Sequence, residues 1–161
     1  YHHGEVDDSQ LDWLAGVLRE PAPHGTLLAL HHPPVPIVSP LMSLLELREQ
    51  HRLAAVVSGS DIRAILGGHL HAATTGVFAG IPVSVAAATC YTLDPSAPRR
   101  ELTGVDGGQS FNLVRIYDDQ VVHSHVPVGA FDVVTHFDEA FLARMEALTP
   151  LERTEAFSRH A

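Results

Sequence analysis

Apolar residues in this chain fall into short runs separated by turn-forming clusters, and the period of the runs changes partway along. The first run carries Leu11, Leu14, Ala15 and Leu18 at the spacing of an amphipathic helix, with Asp7 or Asp8 in position to cap it. That spacing predicts a helix over 9–19. After the loop Pro21-Ala22-Pro23-His24-Gly25, residues 26–30 form a short apolar run, the signature of a parallel strand covered on both faces. The proline-rich stretch 33–40 suits neither a helix interior nor a central strand, and a loop is expected there. A second helix is predicted over 43–58, with Leu44, Leu45, Leu47, Leu53, Val56 and Val57 on its apolar side. A core strand follows over 62–66, broken by Gly67-Gly68.

Beyond residue 70 the pattern shifts to strands with tight connections. Runs 75–78 and 81–87 flank Ala79-Gly80, a good hairpin turn, and runs 111–117 and 121–128 flank Asp118-Asp119-Gln120. Between the two hairpins, 94–108 is rich in Pro, Gly and Arg and is expected to be a long surface loop. The tail 138–160 has helical spacing interrupted at Pro150, which predicts two short helices. The order is β-α-β followed by antiparallel strands, an α/β arrangement with a mixed sheet. Residues 1–130 are expected to form one unit and 131–161 a helical tail. The chain starts at Tyr1, close to a helix already inside a domain, so it reads as a piece of a longer protein.

With 161 residues, 45% hydrophobic and 18% charged, the chain has the composition of a packed domain rather than of a disordered segment. Its longest apolar runs, such as 81–88, fall well short of a membrane span, and the amino terminus shows no signal-peptide pattern. A single cysteine, Cys90, excludes an internal disulfide and suits a reducing, cytoplasmic compartment. The net charge is −9 and all ten cations are arginine, with no basic stripe, so nucleic acid is not an expected partner. Twelve histidines are many for this length. Most are expected at the surface, among them His2, His3, His24, His51, His136 and His160.

Two histidine clusters stand apart, because each sits where a predicted core strand stops. Gly68-His69-Leu70-His71 follows 62–66, and His31-His32-Pro33-Pro34 follows 26–30. Residues at i and i+2 diverge on a helix, so only a strand end or a loop can aim both rings of the later cluster at one point. Imidazole is the commonest nitrogen ligand for zinc, iron and manganese. Two such clusters at the ends of two strands place ligands on one edge of a sheet, where open α/β folds bind substrates, and this predicts a metal centre. Gly67 and Gly68 suit a backbone that turns sharply beneath a metal without a Cβ in the way. The plainer alternative is a chance pair of histidines on a strand. His32 is as well explained by supporting the loop at Pro33 as by touching substrate. His123 and His125 share one face of a strand, but no carboxylate or cysteine neighbours them. Cys90 reads as a small buried strand residue after Ala86-Ala87-Ala88-Thr89, and Asp106-Gly107-Gly108 as a plain turn.

On His31-His32-Pro33 and Gly68-His69-Leu70-His71, the chain resembles the calcineurin-like metallophosphoesterases. That family carries five blocks: Asp-x-His, Gly-Asp, Gly-Asn-His-Asp/Glu, a later His before a small loop, and Gly-His-x-His. The last two are here, in the right order. The stretches from Leu28 to Pro34 and from Gly80 to Tyr91 look closer still to the bacterial class III 3′,5′-cyclic-nucleotide (cyclic AMP) phosphodiesterases. The resemblance implies the C-terminal half of a four-layer α/β/β/α sandwich and hydrolysis of a small phosphodiester at two metal ions (Mn, Fe or Zn). His31 and His69 would bind one ion and His71 the other. From their places beside these ligands, His32 and Gly68 are candidates for contact with substrate. The bridging aspartate and the histidine that assists the leaving group belong to the absent blocks, so the resemblance assigns no catalytic residue to this chain.

Two non-enzymatic readings compete. A zinc-stabilised structural module fits poorly, because such sites usually hold four ligands rich in cysteine. A degenerate or truncated phosphoesterase serving as an oligomerisation unit stays open, since half of the metal ligands are missing. Either way, a sheet edge that has lost its cover is expected to drive self-association, most simply a homodimer.

Overall fold

The structure, a computed structural model, describes residues 2–37 and 39–158. The expectations for His160 and for the chain start at Tyr1 lie outside them. The chain divides into two compact units, residues 1–129 and 130–161.

In the first unit, helix α1 (Asp8–Val17) starts on a capping box. Asp7 Oδ1 accepts from Gln10 N at 2.8 Å and Gln10 Oε1 accepts from Asp7 N at 3.0 Å. Ser9 and the Gln10 amide hold the Asp7 carboxyl below its usual range. Leu11 and Leu14 face the core and Trp13 faces solvent, as the spacing requires.

A mixed four-stranded sheet follows, made of β1 (Thr26–Ala29), β2 (Ile62–Gly67), β3 (Thr74–Phe78) and β4 (Ile81–Val85), in the order β1-β2-β4-β3. β1, β2 and β4 are parallel, and β3 runs against β4. The turn between β3 and β4 is two residues long, with Ala79 at φ 50° and Gly80 at φ 81°. Two consecutive left-handed residues match the right-handed twist of the flanking strands. Val57, Ile65 and Val85 are fully buried, and one apolar cluster joins α1, helix α3 (Gln50–Val57), β2 and β4. Burying a side chain of this class contributes roughly 1.5–3 kcal/mol.

Several expectations are corrected here. β1 is not covered on both faces: it is an edge strand, half-buried with Ala29 exposed. The helix expected over 43–58 is confined to α3, and a separate short helix, α2 (Pro40–Ser43), opens on Pro40 inside the expected loop. Between them the backbone is committed elsewhere, since Gly4 N donates to Glu46 O and Arg48 N to Gly4 O, while Glu49 turns left-handed at φ 48°. Leu44 is consequently exposed. β2 runs on through Gly67 rather than breaking before it. The surface loop 94–108 contains a strand, β6 (Gly104–Val105), paired with β5 (Thr92–Leu93). The strand at 81–87 ends at Val85, and Cys90 is exposed, not buried.

The second hairpin is β7 (Ser110–Ile116) with β8 (Val121–Pro127). It is tied to the four-stranded sheet by Asn112 Nδ2 donating to Ser84 Oγ at 3.1 Å and by Arg63 donating to Tyr117 O at 2.6 Å. Within the second unit, α4 (Glu139–Glu146) is capped by Asp138, whose Oδ1 accepts from Phe141 N at 2.8 Å. α5 (Pro150–Ser158) follows the interruption at Pro150. Phe141 packs against Phe137 and Phe157.

Candidate metal centre

β1 and β2 are parallel, so their chains leave the sheet at the same edge. Their backbone pairing outlives the strands: Leu30 N donates to Leu66 O at 3.0 Å, and Gly68 N donates to His31 O at 3.1 Å. That second bond sets the His31 loop against the Gly68 loop. Gly67 has to be a glycine, because a Cβ there would lie 2.8 Å from the Pro33 side chain. Gly68 is under no such demand, since its Cβ would reach ordinary contact at 3.5 Å from His31 Nδ1. The sharp turn is taken instead by the histidines themselves, His69 at φ 67° and His71 at φ 51°. A left-handed conformation costs a side-chain-bearing residue roughly 1–2 kcal/mol. Two of them flank Leu70, which is buried, so the surrounding structure holds this loop in a strained shape.

The rings of His31, His32 and His69 converge. Their centroids are 5.0 Å apart for His31–His32, 5.2 Å for His31–His69 and 4.0 Å for His32–His69. His32 is pinned from behind, because a Cβ on Gly4 would lie 2.6 Å from the His32 Cβ. Burial, and then the neighbouring His32, His31 and His71 rings, push the His69 pKa down to about 4. Burial, followed by His31, lowers that of His32 as well. Both rings are therefore neutral near pH 7, the form that offers a lone pair to a metal. Nε2 of His69 and Nε2 of His32 are buried without a hydrogen-bond partner among the described residues.

His71 is turned toward a different neighbour. Its ring lies 4.5 Å from that of Tyr91, and its Nδ1 is 3.0 Å from Tyr91 O. A carbonyl can only accept, so Nδ1 carries the proton and a neutral His71 keeps its lone pair on Nε2. Leu93 N donates to His71 O at 2.8 Å and fixes the loop from the same side.

An orphaned, buried, neutral imidazole nitrogen fits a metal ligand, and His69 supplies one. Among the described residues, however, no three His, Cys, Asp or Glu side chains are arranged to hold a metal ion. The histidines fit as part of a donor set and do not complete one. Tyr91 and Gly4 escaped the sequence reading. A backbone carbonyl leaves no mark in a sequence, and Gly4 matters only through a contact with distant His32.

The other candidates fall away from this cluster. His123 has a buried, unpartnered Nδ1 on β8, outside the His31, His32 and His69 group. Asp106 accepts from Gln109 Nε2 at 2.7 Å, and Gly107 O accepts from the Thr92 hydroxyl, the bonds of a structural turn. His2, His24, His51 and His136 are exposed as expected, whereas His3 is half-buried. Among the described residues, no helix is long and apolar enough to cross a membrane.

No family profile matches the chain. It is 59% identical over 130 residues to a Rhodococcus erythropolis protein named "probable cyclic nucleotide phosphodiesterase", covering 81% of the chain and 43% of that protein. It is 53% identical over 137 residues to a cAMP/cGMP dual specificity phosphodiesterase of Mycobacterium tuberculosis, covering 85% of the chain and 43% of that protein. A 3′,5′-cyclic adenosine monophosphate phosphodiesterase of Haemophilus influenzae is 29% identical over 125 residues, covering 77% of the chain and 45% of the relative. The chain thus spans less than half the length of the curated relatives it matches.

Proposed function

The chain is related in sequence to the bacterial cyclic-nucleotide phosphodiesterases, and from that premise we propose that it contributes the later metal-ligand loops of an enzyme that hydrolyses phosphodiesters, with 3′,5′-cyclic nucleotides as substrates. The observation that carries this reading is the meeting of the His31 and His69 loops at one sheet edge, in a chain 59% identical to a protein of that name.

In this reading His31 and His69 hold one metal ion and His71 another. Bound Mn, Fe or Zn ions supply positive charge to phosphate oxygens and activate water. The chain's own residues do the positioning. The left-handed backbone at His69 and His71 shapes the short loop that carries both rings. Tyr91 O fixes the His71 tautomer, and burial keeps His69 neutral. Gly68 leaves the approach to His31 open for substrate. His32 packs against His69, with ring centroids 4.0 Å apart.

The remaining ligands, in this proposal, lie outside residues 1–161, in segments that also complete a four-layer sandwich. The 161-residue chain by itself is then inert. Phe111 and Ile116 on the two-stranded β7–β8 sheet are exposed, which favours pairing with a second copy. The lone cysteine favours the cytoplasm. Turnover of cyclic AMP and of bis(p-nitrophenyl) phosphate by the natural full-length protein, loaded with manganese, tests the proposal. Hydrolysis of neither ester overturns it.

A further inference from the structure

His69 and His71 are separated by a single residue, yet different parts of the structure hold them. The His69 ring packs on those of His31 and His32, which follow β1. His71 is held instead by the segment that follows β4. Its Nδ1 lies 3.0 Å from Tyr91 O, its ring centroid lies 4.5 Å from that of Tyr91, and its carbonyl accepts from Leu93 N at 2.8 Å.

The Tyr91 ring is itself packed. A Cβ on Gly104 would lie 3.2 Å from Tyr91 Cδ2, tighter than ordinary contact, so the ring lies against the bare backbone of β6. β5 and β6 pair Leu93 with Gly104 and Thr92 with Val105. Asp94 N donates to Thr103 O at 2.9 Å, and the Thr92 hydroxyl donates to Gly107 O at 2.5 Å. The stretch expected to be a surface loop is therefore a folded support that reaches the His71 ring. Support is needed there, because His71 sits at φ 51°, a left-handed shape that a residue with a side chain keeps only when its surroundings enforce it.

We propose that Tyr91 is a positioning residue for His71, seated on Gly104, and that the β5–β6 segment sets the affinity of the ion on His71 without setting that of the ion on His69. The inference rests on the two-ion reading above. The contacts to His71 come from the Tyr91 carbonyl and ring, not from its hydroxyl. The carbonyl holds the His71 proton on Nδ1 and leaves Nε2 for the metal. Any residue at this position would carry a carbonyl, so the side chain contributes its placement, and phenylalanine can do the same. A side chain added at Gly104 would displace the ring and act on His71 only through Tyr91.

Manganese binding to the full-length protein, followed by calorimetry, tests this. The wild type should bind two ions. Tyr91→Ala and Gly104→Val should each weaken one of them roughly 10- to 100-fold and leave the other unchanged, whereas Tyr91→Phe should match the wild type. Paramagnetic resonance gives a second readout. The manganese signal of two coupled ions should give way to that of an isolated ion in Tyr91→Ala and Gly104→Val, and persist in Tyr91→Phe. Gly104 is exposed on its strand and outside the left-handed region, so Gly104→Val decides the matter even if Tyr91→Ala does not fold. Equal weakening of both ions, or of neither, overturns the proposal, as does loss of an ion in Tyr91→Phe. A wild type that binds fewer than two ions is a separate outcome that overturns the two-ion reading itself.

Discussion

The rings of His32 and His69 pack 4.0 Å apart at an interplanar angle of 40°, and both Nε2 atoms are buried without a partner among the described residues. Two imidazoles this close cannot both be charged without strong repulsion, and burial removes the water that would screen it. The pair is thus held neutral, and one of its members sits in a strained loop that pairs with a second strand end. Its consequences can be measured.

Stability of the metal-free protein should depend on pH through His69. The unfolded ring takes up a proton near pH 6.5 and the folded ring near 4, so between those values the unfolded state binds more protons. Stability should therefore fall as pH drops from about 6.5 toward 4. Urea midpoints of chelator-treated protein should follow that trend, and His69→Gln should flatten it. A wild-type midpoint that does not change over this window contradicts the assignment.

Gly4→Ala should damage the centre from a distance. The new methyl would lie 2.6 Å from the His32 side chain, which must shift and take its stacking against His69 with it. We expect a loss of about 1–3 kcal/mol in stability, as in overpacked cores, and weaker manganese binding by calorimetry. Ala at Gly80, where nothing lies within 4 Å but φ is 81°, should destabilise through backbone strain alone and leave manganese affinity as it was.

The 161-residue chain alone should not turn over a chromogenic phosphodiester with manganese or iron, and light scattering should show it self-associated. Metal-dependent turnover by a monomer would mean that residues 1–161 contain ligands beyond His31, His69 and His71.

What the sequence made legible was local. The capped helix α1 and the Ala79-Gly80 turn depend on contacts within a few residues, and their patterns point to the observed elements. The histidine clusters at the strand ends were equally plain, because a run of apolar residues that stops is visible in one dimension. The errors came from long-range events. Leu47 reads as part of a helix face, yet the chain there bridges to Gly4, more than forty positions away. Cys90 follows an alanine run that looks like core, but the sheet ends at Val85 and the run lies beyond it. The contact of Tyr91 O with His71 exists only once the chain has folded.

The central claim is that His69 and His71 are metal ligands of a phosphodiesterase. The most direct measurement is the metal content of the full-length protein, wild type against His69→Ala and His71→Ala, alongside hydrolysis of cyclic AMP. Each substitution should lower metal affinity at least 10- to 100-fold and abolish most turnover, while circular dichroism stays that of the wild type, since loop ligands contribute little to core packing. Full metal content and undiminished turnover in either variant would contradict the account.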